Sequence, residues 1–156
     1  MTTEDRGPAT QVYQVFIRAT PEKIWQAIRT PEFTKQYFHG SSVTVTDDRY
    51  TGRGPDGSIW VEGAVLESDP PKRLVHEWRS LYAPEQADEP ASRVTWEIEP
   101  QDGGVCLLTT THDHLEASPK TAKGVSGTGW ITVLSGLKTL LETGTPLFAA
   151  TAATTA

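Results

Sequence analysis

Cysteine is almost missing from this sequence. Cys106 stands alone among 156 residues, which excludes an internal disulfide framework and a zinc site built on several thiolates. Long apolar runs are missing as well. None approaches the roughly 18–20 residues that a membrane-spanning helix needs, and Met1 to Ala9 has no apolar core of the kind a secretory leader carries. A cytoplasmic location without a membrane partner is the expectation. Positive charge is in deficit: Lys and Arg number 14 against 20 Asp and Glu, a net charge of −6, which argues against a nucleic-acid partner, since such affinity comes mainly from cations on phosphates. No repeat at a period of 20–50 residues is visible. What is present, 37% hydrophobic and 22% charged residues, suits one globular domain with a real core. The polar start and the Ala/Thr-only end lead us to expect that domain over 10–147, flanked by disordered tails at 1–9 and 148–156.

Periodicity divides the chain. Gln11 to Ala19 alternates and reads as a strand. Thr20-Pro21 and Thr30-Pro31 each pair a capping residue with a proline suited to the first helical position, predicting two short helices, the second reaching about Phe38. From His39 the period becomes two. Strands are expected over Ser42–Thr46, Ile59–Glu67, Arg73–Ser80, Arg93–Glu99 and Val105–His114, with Arg49–Gly57 as a glycine-rich loop and Leu81–Ala91 as an acidic loop. Short connections favour an antiparallel meander. After Ser118-Pro119, the i, i+3, i+4, i+7 spacing of Trp130, Val133, Leu134, Leu137, Leu140 and Leu141 predicts one long helix over Lys120–Thr143, closed by Gly144 and Pro146. The expected class is α+β, with helices on one side of an antiparallel sheet.

Four segments make the chain familiar: ATPEKIW (Ala19–Trp25), EGAVLESDPPKRLVHEW (Glu62–Trp78), VTWEIE (Val94–Glu99) leading to Thr111-His112, and Gly129-Trp130 with Leu134 and Leu137. Together they span about residues 11–145 and resemble the SRPBCC superfamily (the START and birch-pollen-allergen helix-grip fold), in its activator-of-Hsp90-ATPase-like branch. The resemblance implies a curved antiparallel sheet wrapped around a long C-terminal helix, with two short helices after the first strand. It also implies a choice of functions, because the superfamily hosts lipid carriers, polyketide aromatase/cyclases, co-chaperones and antibiotic self-resistance proteins.

Strand alternation places Leu74, His76 and Trp78 on one face, likewise Val94, Trp96 and Ile98, and Cys106, Leu108, Thr110 and His112. Taken as concave faces, they would meet Val125, Trp130, Val133, Leu134 and Leu137 of the long helix, with Trp25, Phe33, Tyr37 and Phe38 closing one side. The bland alternative is ordinary core. An aromatic cavity dotted with polar groups suits a flat hydrophobic ligand, so the leading expectation is binding of a hydrophobic, aromatic small molecule without cofactor. The resemblance narrows this to sequestration of, or self-resistance to, a natural product such as an enediyne antibiotic, and sets Gly127 close to the ligand. A polyketide-type cyclase or hydrolase is the enzymatic alternative, and a protein partner of co-chaperone type is the third.

Other motifs carry less. His112 and His114 would share a strand face about 7 Å apart, but zinc needs three or four ligands. Cys106 lies about 20 Å away along the strand and His76 about 10 Å sideways, so no metal is expected. Gly124-Val-Ser-Gly127-Thr-Gly129 lacks the following Lys-Ser/Thr of a phosphate loop. Its glycines would let the helix bend or a ligand approach, and the segment reads as a lid. An acid–base role for His76 or His112 belongs to the enzymatic alternative. Cys106, facing inward, is expected to be unreactive, and Glu85, Asp88 and Glu89 are expected to be solvated surface beside the cavity mouth.

Overall fold

A computed structural model describes residues 9–148. The tail expectations for 1–9 and 148–156 therefore fall outside the described residues, apart from Ala9 and Phe148. Strand β1 (Gln11–Ile17) leads into helices α1 (Pro21–Arg29) and α2 (Pro31–Tyr37). Thr20 caps α1 as its sequence requires, its side chain accepting from the Lys23 N–H at 3.1 Å. Strands β2 (Ser42–Val45), β3 (Arg49–Arg53), β4 (Ile59–Asp69) and β5 (Arg73–Ser80) follow, then helix α3 (Pro84–Ala87), β6 (Ser92–Pro100), β7 (Cys106–Asp113), α4 (Pro119–Val125) and α5 (Thr128–Thr143). The seven strands form one antiparallel sheet in the order β1-β7-β6-β5-β4-β3-β2. Register shifts at Gly52/Arg53 and between Val65 and Glu67 mark bulges, which add curvature. This is the α+β helix-grip architecture.

Three expectations need correction. Arg49–Arg53 is a strand, so the sheet has seven strands where the sequence suggested six. Tyr50 is buried there, and β3 pairs on both sides, with β2 and β4; pairing overrides the glycine signal, and the actual turn closes at Gly57 N–H to Gly54 O, 2.9 Å. Second, Lys120–Thr143 is two helices. The chain breaks at Ser126-Gly127, where Gly127 takes φ +66°, a left-handed conformation that glycine alone tolerates at little cost. Third, the acidic loop contains α3.

The inner face of the sheet, α1, α2 and α5 enclose a single apolar cluster that includes Ile17, Ile24, Leu74, Val94, Ile98, Leu108 and Leu137. Gly136 lets α5 approach α2, since a Cβ there would lie 3.1 Å from Tyr37 Cβ. No helix among the described residues is long and apolar enough to cross a membrane.

Candidate functional site

The period-two pattern of β5, β6 and β7 puts His76, Trp78, Trp96 and His112 on the concave face, all buried. In the register, His76 lies opposite Val94 and Val94 opposite His112, so the two imidazoles stand one strand apart from each other across β6. Each ring is clamped by an indole. Trp96 Nε1 donates to His76 Nε2 at 3.0 Å, and His76 Nδ1 faces Glu77 O at 3.0 Å. Trp130 Nε1 donates to His112 Nδ1 at 3.1 Å, and His112 Nε2 lies 2.7 Å from Ser92 Oγ, which donates to Trp78 O at 3.1 Å. A neutral imidazole offers one donor and one acceptor, so the bonding assigns the proton to Nδ1 of His76 and to Nε2 of His112. Desolvation holds the His76 pKa down to about 4. Desolvation, then repulsion from His76, holds that of His112 down to about 3. Tyr50 stacks on His76 with centroids 3.7 Å apart and planes 7° from parallel. Both rings are thus neutral with every nitrogen engaged, and proton transfer by either would require breaking these bonds.

Beside this locked layer lies an open cavity of about 400 Å³. Aromatic walls come from Phe38 at the end of α2, Trp60 on β4, Trp78 on β5 and Trp130 on α5. The Phe38, Trp78 and Trp130 centroids are 5.5–6.3 Å apart, the range of favourable ring pairs. Val61, Val125 and Val133 fill in between, and His39, Ser41, Tyr82, Ser126 and Thr128 supply polar atoms, with Gly124 and Gly129 completing the wall. Gly54 lets Trp60 lie flat: a Cβ there would come within 2.3 Å of the indole. His39 Nε2 reaches Gly129 O at 3.3 Å, joining the end of α2 to the start of α5.

One side of the cavity is formed by the end of α4 and the start of α5. Glu89, from the β5–β6 connection, accepts from the N–H groups of Lys120 and Thr121 and from the Thr121 hydroxyl, each at 2.8 Å. It therefore caps α4 from a distant segment, where a carboxylate also meets the positive end of the helix. Ser118 Oγ donates to Pro90 O at 2.7 Å. This corrects the expectation for the acidic loop: Glu85 and Asp88 are exposed, while Glu89 is a structural cap.

Of the residues singled out from sequence, Phe38, Trp78, Val125, Trp130 and Val133 line the cavity. Trp25, Tyr37, Leu134 and Leu137 are core, with Phe33 packed against it. His76, Trp96 and His112 form the layer behind the wall, and Thr110 is buried there with its hydroxyl unpaired among the described residues. Gly127 sits at the helix break and is exposed, next to the wall residues Ser126 and Thr128. Sequence reasoning missed His39, Ser41, Trp60, Val61 and Tyr82. Only Trp60 carried a signal, a large aromatic at a strand start.

His114 lies past the end of β7 with φ +59° and is exposed, so it shares no face with His112. Among the described residues, no group of three or more His, Cys, Asp or Glu could hold a metal. The Cys106 thiol is buried, contacts Ala19 O at 3.3 Å, and is pushed up in pKa by desolvation and then by Glu22, conditions that suppress thiolate reactivity.

The same architecture recurs in solved structures. Protein MLL2253 from Mesorhizobium loti superposes with a TM-score of 0.69 at 24% identity, over 85% of this chain and 96% of its own. DynU16, from the dynemicin biosynthetic locus, gives 0.70 at 20% identity over 89% of this chain, which spans only 49% of DynU16. PFC0360w, an HSP90 activator from Plasmodium falciparum, gives 0.69 at 19% identity over 86% and 97%. At these identities the likeness is one of fold. No curated protein matches. A family profile does, over residues 18–142, and the chain belongs to the family described as activator of Hsp90 ATPase homolog 1-like proteins.

Proposed function

We propose that the protein binds a hydrophobic, aromatic small molecule in the cavity between β4–β5 and α4–α5, and that it sequesters a natural product. The observation that carries the reading is the wall itself: Phe38, Trp60, Trp78 and Trp130 converge from four elements on a volume of about 400 Å³, within the range of small-molecule sites. A tightly packed core would have closed this space, because an aromatic-lined void forfeits dispersion contacts. The natural-product class draws support from DynU16, whose gene lies in the dynemicin biosynthetic locus. No cofactor enters this reading, and the clamped His76 and His112 favour binding over acid–base turnover. A co-chaperone role is the second reading, favoured by the likeness to the HSP90 activator from Plasmodium falciparum.

Titration with a polycyclic aromatic, read as tryptophan quenching, tests the proposal. Saturable quenching is expected, and Trp60→Ala should weaken it while leaving the urea midpoint nearly unchanged. Trp130→Ala should weaken binding by the folded fraction and also cost about 3–5 kcal/mol of stability. Affinity indifferent to both substitutions would sink the proposal. Saturable binding of Hsp90 by a protein that takes up no aromatic would favour the second reading.

A further inference from the structure

Trp78 and Trp130 are neighbours in the cavity wall, with ring centroids 5.5 Å apart. A ring that borders vacant space lacks contact atoms on that side, so packing alone does not fix its orientation. Trp130 has a further need of a tether. It sits in the first turn of α5, whose start at Gly127 carries no side-chain cap. Its indole N–H begins a chain of three hydrogen bonds that ends on the other wall. Trp130 Nε1 meets His112 Nδ1 at 3.1 Å, His112 Nε2 meets Ser92 Oγ at 2.7 Å, and Ser92 Oγ meets Trp78 O at 3.1 Å. Ser92 and His112 are 2% and 0% exposed, and neither lines the cavity.

Both ends of this chain are chemically one-way. An indole N–H only donates and a carbonyl only accepts. Ser92 therefore donates its hydroxyl proton to Trp78 O and accepts from His112. His112 then carries its proton on Nε2 and accepts from Trp130 at Nδ1. No other placement of the protons satisfies all three bonds. Ser92 lies directly opposite Trp78 in the β5–β6 register, so the chain is anchored in the sheet at the end away from α5. Resting on the reading of this cavity as an aromatic-ligand site, we infer that Ser92 and His112 are positioning residues of that site, holding the Trp130 ring in its ligand-ready orientation without touching the ligand. Ordering a side chain on binding lowers affinity, and a ring fixed beforehand avoids that loss.

The unmodified full chain gives the first test. Nitrogen NMR of His112 should show the Nε2–H tautomer. The Nδ1–H tautomer overturns the inference, because that form cannot accept from Trp130. Ser92→Ala then removes the middle link. Tryptophan-quenching titration with anthraquinone should show its folded fraction binding about fivefold more weakly. The Trp130 indole N–H resonance should move and exchange faster, and His112 should no longer hold a single tautomer. Ser92→Thr keeps a hydroxyl and should restore all three. Ile24→Val trims the core on α1 and should lower the urea midpoint while leaving the affinity and both NMR signals alone, which separates positioning from general stability. Ser92→Cys, of similar shape but weaker in bonding, stands in if Ser92→Ala does not fold. Parent affinity in the Ala or Cys variant, a loss that comes with unmoved Trp130 and His112 signals, or one that Ser92→Thr does not recover overturns the inference while leaving the aromatic site standing. Failure of anthraquinone to bind the unmodified protein removes the aromatic-site reading and this inference with it, whichever tautomer His112 shows.

Discussion

Two layers of the interior use the same residue types to opposite ends. Behind the wall, Trp96 and His76, and Trp130 and His112, satisfy one another completely, and the imidazoles hold no free nitrogen. In front, Phe38, Trp60 and Trp78 border open volume. The locked layer gains rigidity from bonded buried rings, with the Thr110 hydroxyl left unpaired among them, and the open layer differs in having vacant space beside its rings. Trp130 belongs to both: its N–H is committed to His112 while its ring forms part of the cavity wall. What separates Trp60 from Trp96 is therefore vacant space beside the ring rather than residue identity.

The locked layer should break most severely at a glycine. Gly63 on β4 crosses β5 so closely that a Cβ would lie 2.0 Å from Glu77 O, the carbonyl that receives the His76 proton. Gly63→Ala should cost more than about 3 kcal/mol, at the upper end of overpacking effects, or leave no folded protein. A urea midpoint near that of the parent would show that β4 yields at this point.

Acid tests the same layer without mutation. Both histidines have folded-state pKa values depressed below the ordinary 6.5, to about 4 and about 3. The unfolded chain then binds more protons than the folded one below pH 6.5. Their contribution is fully present above that pH and is lost as pH falls towards the folded values, at about 1.4 kcal/mol per pH unit for each ring. The urea midpoint should fall steeply between pH 6.5 and 4.5, and a flat profile there would show that the rings accept protons in place. Trp130→Phe should be milder. It keeps an aromatic ring but strands His112 Nδ1, at a cost of about 1–3 kcal/mol, with the His112 pKa rising in an NMR titration. Glu89→Ala should cost about 1 kcal/mol, the value of a cap, and hydrogen exchange should quicken in 119–125 ahead of the sheet. Trp60→Ala should be smallest in stability and visible chiefly in affinity.

The face that each residue of the locked layer takes was legible in the sequence because period two decides it, and β5, β6 and β7 keep that period without a register shift. The same period does not tell a clamped ring from one that lines a cavity, which is how His76, Trp96 and His112 were taken for ligand contacts. The cavity was less legible. Trp60 and Val61 are adjacent yet both reach the wall, near the start of β4 where strict alternation gives way. Ser41 and His39 stand on a connection, and Tyr82 lies just past the end of β5, where no period operates. Strand β3 was hidden by Gly52, Gly54, Pro55 and Gly57, which mark a loop by composition although 49–53 pairs on both sides. The helix break at Gly127 was foreshadowed by three glycines in six residues, but the apolar spacing beyond it masked the division.

That break separates two tasks within the C-terminal segment. Helix α5 is anchored by core residues, so its position is set by folding. Helix α4 lies beyond a residue with φ +66° and is held by Glu89 of the β5–β6 connection and by Gln11 of β1, whose Nε2 donates to Ala122 O at 2.9 Å, so the two helical walls of the cavity rest on separate supports. A chain built this way can vary the width of its cavity through the contacts of α4, with the grip of sheet on α5 left as it is.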